Sequence, residues 1–331
     1  TRHEDIETEC KRIVTQHPNW EGDSSLSRIF LVSMPENKFS LDDHNSPYYG
    51  IKEFLFERGI PCQMINTPTL ANPDWKDLNL ALNIVAKCAL VPWVLSEKLP
   101  EADFFMGIAY TTTRNSRNRE KMMGFVSVFD EYGRWRFYKG ESVFSFDKKK
   151  EYFAKLVPET LKELGNLHDT AKIHIHTASR FSHEDEQAIL SAAKKVLPNV
   201  HFSFVWINDT HILRGYDNSN VGGSLSRGSY VSLSSQQLLL STTGYNTFKK
   251  SLGTPRLIDA VIHSEGAIDL KLYAKHLLAL TKLNWASTNA LTGEPITTKY
   301  ALSIAYLTEK FIQRKGDFKL HKVLEKTPWF I

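Results

Sequence analysis

The sequence predicts an α/β protein built as two successive layers. Three observations carry that reading. Short apolar runs at residues 28–34 and 62–65 alternate with segments of helical period at 48–58 and 77–89. Strand-like runs at 104–109, 122–130 and 135–139 then follow one another, and from residue 148 onward helix and strand patterns alternate again. At 331 residues the chain is long enough for two cores, and 42% hydrophobic with 24% charged residues is the balance of a globular protein. No apolar run reaches the roughly 18 residues needed to cross a bilayer.

Residues 1–27 are polar and read as a helix followed by a loop near residues 19–25. Arg28–Met34 reads as a buried strand, because its short apolar run is bounded by Pro35 and Asn37. Tyr48, Ile51, Phe54 and Leu55 recur at helical spacing just after Pro47, and Gly59–Pro61 ends that helix. Cys62–Ile65 returns as a short strand and Asp77–Ala89 as an amphipathic helix. Strand, helix, strand, helix is the order of a small Rossmann-like layer.

Pro92 and Pro100 bracket the expected junction, dividing the chain into 1–98, expected to be N-terminally incomplete, and 99–331. Beyond it come strands at Phe104–Ala109, Met122–Asp130 and Trp135–Lys139, with turns at Asn115–Arg119 and Glu131–Gly133. A helix over Lys148–Leu164, a strand at Lys172–His176, a helix at Glu184–Val196 and a strand at His201–Ile207 follow. Mixed strands and then alternation is the order of an RNase H-like sheet. The last hundred residues hold a Ser/Gly-rich segment, Val221–Ser234, and helices at Asp269–Lys282 and Lys299–Lys315.

Cys10, Cys62 and Cys88 are odd in number and scattered, which excludes a disulfide framework or a cysteine zinc site and points to a reducing cytoplasm. A net charge of +4 permits a nucleic-acid partner without requiring one. His174 and His176 share a strand face near His183, but nothing completes a zinc set, so a polar strand edge is expected there. Lys148–Lys150 reads as a solvated helix start. The 221–230 loop, with Arg214 and Arg227 nearby, suits backbone contact with a nucleic-acid strand.

One stretch points to an anion. Tyr48 and Lys52 stand four apart on one helix and share a face, and Gln63 follows the next turn. Asn83 and Lys87 stand four apart on the second helix. Two ammonium groups, a phenol and an amide form a pocket for a terminal phosphate, the lysines supplying charge and the others directed donors.

These phrases resemble the MID-domain signature of Argonaute and Piwi proteins: Tyr48 with Lys52, Gly59–Gln63, and Asn83 with Lys87 leading to Pro92–Trp93. The chain departs from it at Cys88–Leu90, where the family carries a glycine pair. The resemblance implies that Tyr48, Lys52, Gln63 and Lys87 bind a guide's 5′-phosphate. The closing Thr327–Ile331 is similar to the Piwi C-terminus, which implies a Mg²⁺ held against the guide phosphates by the Ile331 carboxylate, with Asn83 as a second ligand.

The same resemblance makes residues 1–98 a MID domain and 99–331 a PIWI domain. In the active nucleases of that family, carboxylates hold two metals that activate water and stabilise the leaving oxygen. Three of four such positions hold Ala109, Ala178 and Leu302, in the phrases Gly107–Ala109, His176–Arg180 and Tyr300–Leu302. Loss of cutting is therefore expected, and the leucine is not the mark of an engineered knock-out. The alternative is a Mg²⁺-dependent endonuclease using displaced ligands such as Asp103, Asp130 or Glu141, or an active parent mutated to alanine. Ile207–His211 resembles a strand end lining the guide channel, with Arg180, Asn208, Thr210 and Arg214 as its candidate contacts. The family further implies a guide, RNA ahead of DNA, a complementary target, DNA ahead of RNA, and no membrane. It also implies a partner carrying an APAZ region fused to a TIR, sirtuin-like or nuclease effector, acting against plasmids or phage.

Overall fold

The structure, a computed structural model, describes residues 3–26, 28–34, 43–72, 76–112, 121–140, 143–165, 167–168, 170–219, 223, 225–243 and 256–331. The chain divides into two compact units: Thr1–Trp93 with Trp285–Thr288 and Ser303–Ile331, and Val94–Asn284 with Asn289–Leu302. The division falls between Trp93 and Val94 rather than at 98/99. Residues 303–331, expected in the second domain, pack with the first unit.

In the first unit β1 (Phe30–Met34) and β2 (Cys62–Asn66) pair in parallel, joined through α2 (Pro47–Glu57). The crossover helix starts where Ser46 accepts a hydrogen bond from Tyr48 N at 3.3 Å with Pro47 in the first turn, and it ends at Gly59, whose φ is +73°. Around it lie α1 (His3–Gln16), the short α3 (Thr67–Ala71) and α4 (Asp77–Lys87). The rings of Tyr49 and Phe56 on α2 meet Phe311 edge-on, and Phe56 meets Trp329 at 5.1 Å. All four are buried. Each ring removes enough apolar surface from water to contribute about 2–3 kcal/mol, which is why the last residues join this unit.

The second unit is built on a nine-stranded sheet. It contains β3 (Phe104–Thr112), β4 (Lys121–Asp130), β5 (Trp135–Lys139), β6 (Val143–Ser145), β7 (Lys172–Thr177), β8 (His201–Asn208), β9 (Tyr230–Ser232), β10 (Gln237–Leu240) and β11 (Ile258–Ser264). The order is β5-β4-β3-β7-β8-β11-β10-β9, with β6 on β4. Strands β3, β7 and β8 run parallel and the other pairs antiparallel. Helices α5 (Lys149–Leu164) and α6 (His183–Lys194) cover one core through Phe153, Val157, Leu161 and Ile189. Helix α7 (Leu270–Leu280) covers another through Tyr273, Ala274 and Leu277. Helix α8 (Ile296–Lys315) contributes its first turns to this unit. The Glu131–Gly133 turn is present, with Gly133 at φ +68°, whereas the Asn115–Arg119 turn lies outside the described residues.

Two expectations fail here. His174 and His176 are not a polar strand edge, because β7 is central, between β3 and β8, and both rings are buried. With His276 of α7 they surround Phe105, at ring separations of 5.4, 5.5 and 5.3 Å. His174 Nε2 donates to Glu101 O at 3.1 Å and His276 Nε2 to Pro100 O at 2.7 Å, leaving the Nδ1 of each with no partner. The solvated start of α5 is also incomplete: Lys149 lies largely buried and pairs with Asp185 at 2.8 Å, where Asp185 and Ser182 cap α6.

Gly107 admits no side chain. A Cβ there would lie 2.0 Å from Thr297 O in the first turn of α8 and 2.6 Å from Ser127 Oγ. That hydroxyl is shared between Gly107 O at 3.2 Å and Thr297 O at 3.1 Å. Gly107→Ala should lower the unfolding free energy by about 3 kcal/mol through overpacking against backbone, measured as a shift in urea midpoint at constant slope. An unshifted midpoint would show that the helix can move aside at no cost.

Candidate nucleic-acid interface

The anion-binding candidates assemble in the first unit. Lys52 Nζ lies 4.5 Å from the centre of the Tyr48 ring, a cation–π contact one helical turn long. Lys87, in the last turn of α4, donates to Gln63 Oε1 at 2.6 Å, and Gln63 Nε2 donates to Met64 O at 2.9 Å. The amide is therefore held in one orientation, because an ammonium can only donate. Lys52 is 3% and Lys87 1% exposed. The buried Cys62 thiol lies within reach of both lysine charges, which pull it down, but burial outweighs them and pushes it up. Burial first and the Lys52 charge second push the Lys87 ammonium down to about 7.

A cavity of about 460 Å³ opens on this cluster, lined by Tyr48, Gln63, Asn66, Thr69, Lys76, Asn79 and Asn83 together with Met34, Met64, Ile65 and Leu80. Tyr48, Gln63 and Asn83 thus face the cavity, whereas Lys52 stands behind Tyr48 and Lys87 behind Gln63. A ligand meets the phenol and the amides first, with the two buried lysines behind them. No described lining residue is acidic. Asn66, Thr69, Lys76 and Asn79 were not singled out in the sequence. Lys76, Asn79 and Asn83 recur at helical spacing, and that stripe was the available signal.

For a hard cation the cavity offers only neutral oxygens, among them Asn83 Oδ1, which is buried and has no partner. No group of three His, Cys, Asp or Glu among the described residues could hold a metal ion. A neutral amide alone does not make a Mg²⁺ site, since such a cation would have to draw its other ligands from bound nucleic acid. Ile331 donates its own N–H to Pro328 O at 3.1 Å, beside the buried Trp329 and Phe330.

In the second unit, the register Ile108↔Thr177 between parallel β3 and β7 sets Ala109 and Ala178 at matching positions of neighbouring strands. Leu302 lies two residues beyond Tyr300, whose ring packs on Phe129 and Trp135. Methyl and isobutyl groups offer no lone pair at these three positions. Asp103 and Asp130 are at the other end of the same strands: β3 begins beside Asp103, and Phe104 pairs with Asp130. At 3.3 Å per residue, the six positions from Asp103 to Ala109 span roughly 20 Å. Both aspartates are occupied there, Asp103 by Lys172 N at 2.8 Å and Asp130 by Arg134 N at 2.9 Å. Glu141 lies outside the described residues.

The channel candidates share the C-terminal ends of β7 and β8. Arg180 is exposed and stacks over Trp206 at 5.4 Å. Asn208 Oδ1 accepts from Thr210 N at 3.0 Å and from its hydroxyl at 2.8 Å, which fixes the turn leaving β8. Arg214 is exposed, its guanidinium donating to Leu213 O at 2.8 Å. Arg227, by contrast, points inward to Thr242 O and Thr281 Oγ1 and is spent on structure. Parts of the 221–230 loop lie outside the described residues. Among the described residues no helix is long and apolar enough to cross a membrane.

No family model matches the chain. It is 24% identical to "Protein argonaute" of Aquifex aeolicus over 303 residues, covering 89% of this chain and 40% of that protein. The fold matches the structure of Clostridium butyricum Argonaute bound to a guide DNA and a 19-mer target DNA, with TM-score 0.72, 22% identity, and coverage of 94% of this chain and 40% of that one. It also matches Aquifex aeolicus Argonaute, with TM-score 0.66, 21% identity, and coverage of 91% and 41%. The chain spans about 40% of the length of these relatives.

Proposed function

We propose that this Argonaute homologue anchors the 5′-phosphate of a guide strand at Tyr48, Lys52, Gln63 and Lys87 and recognises a complementary target without cutting it. The observation that carries the reading is the pair of buried lysines, each held against a cavity-lining side chain, with no described acidic residue lining that cavity. Burying two lysines with no anion beside them is costly, and an arriving phosphate relieves that cost with charge-assisted hydrogen bonds. The guide- and target-bound Clostridium butyricum relative, whose fold this chain shares, supports the same use.

Base pairing supplies the sequence reading, so the protein needs only shape and backbone contacts, for which Arg180, Asn208, Thr210 and Arg214 stand at one end of the sheet. The absence of cutting is supported by Ala109, Ala178 and Leu302, and by the remote, occupied positions of Asp103 and Asp130. A non-cutting sensor needs another protein to act on its signal. The partner class proposed here is an APAZ-bearing effector, acting in defence against plasmids or phage.

Two measurements test this. A 5′-phosphorylated oligonucleotide, RNA or DNA, should bind at least tenfold more tightly than its 5′-hydroxyl twin. A matched target incubated with loaded protein and Mg²⁺ or Mn²⁺ should remain intact, and guide-dependent product would overturn the non-cutting half of the reading.

A further inference from the structure

The phosphate pocket holds more positive charge than its surroundings balance. Lys52 comes from α2 and Lys87 from α4. The structure sets the Tyr48 ring on α2 and the Cys62 thiol and Gln63 amide on β2 against them, and no described residue lining the cavity is acidic. Lys76, which lines the cavity, adds a third cation. Of the two buried lysines, Lys87 is the more enclosed, and the one hydrogen bond the structure gives its Nζ is to a neutral oxygen. A neutral amine can make that bond as well as an ammonium can, so the empty pocket has a way to shed one charge without losing a contact.

We propose that Lys87 takes up a proton from solvent as the guide's terminal phosphate binds, so that the pocket reaches its full charge only around a dianion. This rests on the reading of the cavity as a guide-phosphate site and adds the means by which it selects its ligand. The balance is one neutral amine, one proton and one phosphate dianion giving one ammonium–phosphate pair, with no bond broken in the guide. The downward displacement of Lys87 to about 7 is the direction this requires, because burial and the Lys52 charge oppose protonation until an anion arrives. Lys87 is thereby a specificity-determining residue. A terminal phosphomonoester carries close to two charges and can draw the proton in. A backbone phosphodiester carries one charge, and a 5′-hydroxyl end none.

Calorimetry of the intact chain at pH 8, in buffers of differing ionisation enthalpy, decides the matter. At that pH the phosphomonoester is already fully ionised, so it contributes no proton of its own. The Cys62 thiol, pushed up by burial, is protonated before and after binding. The expected result is uptake of about one proton per 5′-phosphorylated oligonucleotide, none for the 5′-hydroxyl form, and affinity falling nearly tenfold per pH unit above 8. Lys87→Arg, which stays charged throughout, should abolish the uptake, and persistence of uptake in that variant would overturn the assignment to Lys87. Selective binding of the phosphorylated form with equal heats in every buffer would overturn the proposal while leaving the phosphate site standing. If both forms bind alike, the site reading fails and the proposal fails with it.

Discussion

Replacing Lys52 and Lys87 together by methionine should weaken binding of a 5′-phosphorylated guide by about 10²- to 10⁴-fold, since each charge-assisted hydrogen bond to phosphate contributes about 1.5–3 kcal/mol. Binding of a 5′-hydroxyl strand should change little, because neither lysine has an anion to meet there. Methionine keeps the length and volume of the side chain, so the cavity above should not collapse. Stability supplies the control. The two lysines are 3% and 1% exposed and no described residue lining the cavity above them is acidic, so converting them to apolar groups removes a desolvation cost. The double variant should unfold at the same or a higher urea concentration. A variant that loses guide binding and unfolds earlier would point to damage to the fold instead. One that keeps phosphate selectivity at full strength would remove this pocket from the function altogether.

The second large effect is acid lability, and it belongs to the buried histidines. Burial drives His174 down to about 4 and His276 to about 3, and it carries His176 well below the ordinary imidazole value. Each folded-state value is depressed, so the unfolded chain binds the extra protons. The contribution to stability is complete above about pH 6.5 and is withdrawn as pH falls toward 4. Three imidazoles titrating only in the unfolded state give a slope of about 4 kcal/mol per pH unit between pH ~5.5 and ~4, enough to unfold a domain of ordinary stability. Glu53, pushed up to about 7 by burial, holds a proton in the folded state and offsets part of this slope, and Glu294, raised by burial, acts in the same direction. Urea unfolding at pH 7.5, 6.5, 5.5 and 4.5 should show the midpoint falling steeply over the last two steps. A midpoint constant to pH 4.5 would mean that the trio finds partners on protonation that the neutral rings lack.

Much of the architecture was legible because the periodicities are clean. Strand β5 falls at the residues its alternation predicts, and β1, β2, α2, α5 and β8 differ by one or two residues at an end. What escaped was the far side of the larger sheet. Strand β9 hides inside a Ser/Gly-rich stretch that reads as loop, and β10 offers only Gln237–Leu240, too short to separate from a buried turn. The polar Asp259 and His263 in β11 break an otherwise apolar run, although Asp259 is satisfied by Gln237 at 2.8 Å and His263 by Glu186 at 2.8 Å. Partners on another strand or helix are invisible until the packing is known.

The proposed phosphate pocket shows how far spacing reaches: it groups the candidate side chains but says nothing of their depth. Helical spacing puts Tyr48 with Lys52 and Asn83 with Lys87, yet spacing carries no information about burial. An amphipathic reading leaves every lysine in solvent, whereas here β1 and β2 and the helices beside them close over two of them. The histidines failed for the same reason, because alternation along β7 gives a shared face without saying whether that face meets water. Asp103 and Asp130 show the converse. They are acidic residues near the expected catalytic strands in sequence, and only the antiparallel pairing of β3 with β4 reveals that they occupy the wrong end.

The strand order of the larger sheet also bears on how fast the chain reaches its native state. Its middle is assembled from segments far apart in sequence: β3 waits for β7 while β4, β5, β6 and α5 are laid down, and β8 waits for β11 while β9 and β10 are. The antiparallel runs β3–β4–β5 and β9–β10–β11 can pair as neighbours when made, but the centre that joins them cannot. The entropy of closing the long intervening loops is incurred before the parallel pairings return anything, which places this unit among slow folders of high contact order. During that wait, the apolar faces that later meet α5, α6 and α7 are open to other chains. Low temperature and slow synthesis should therefore favour intact protein over aggregate when it is produced.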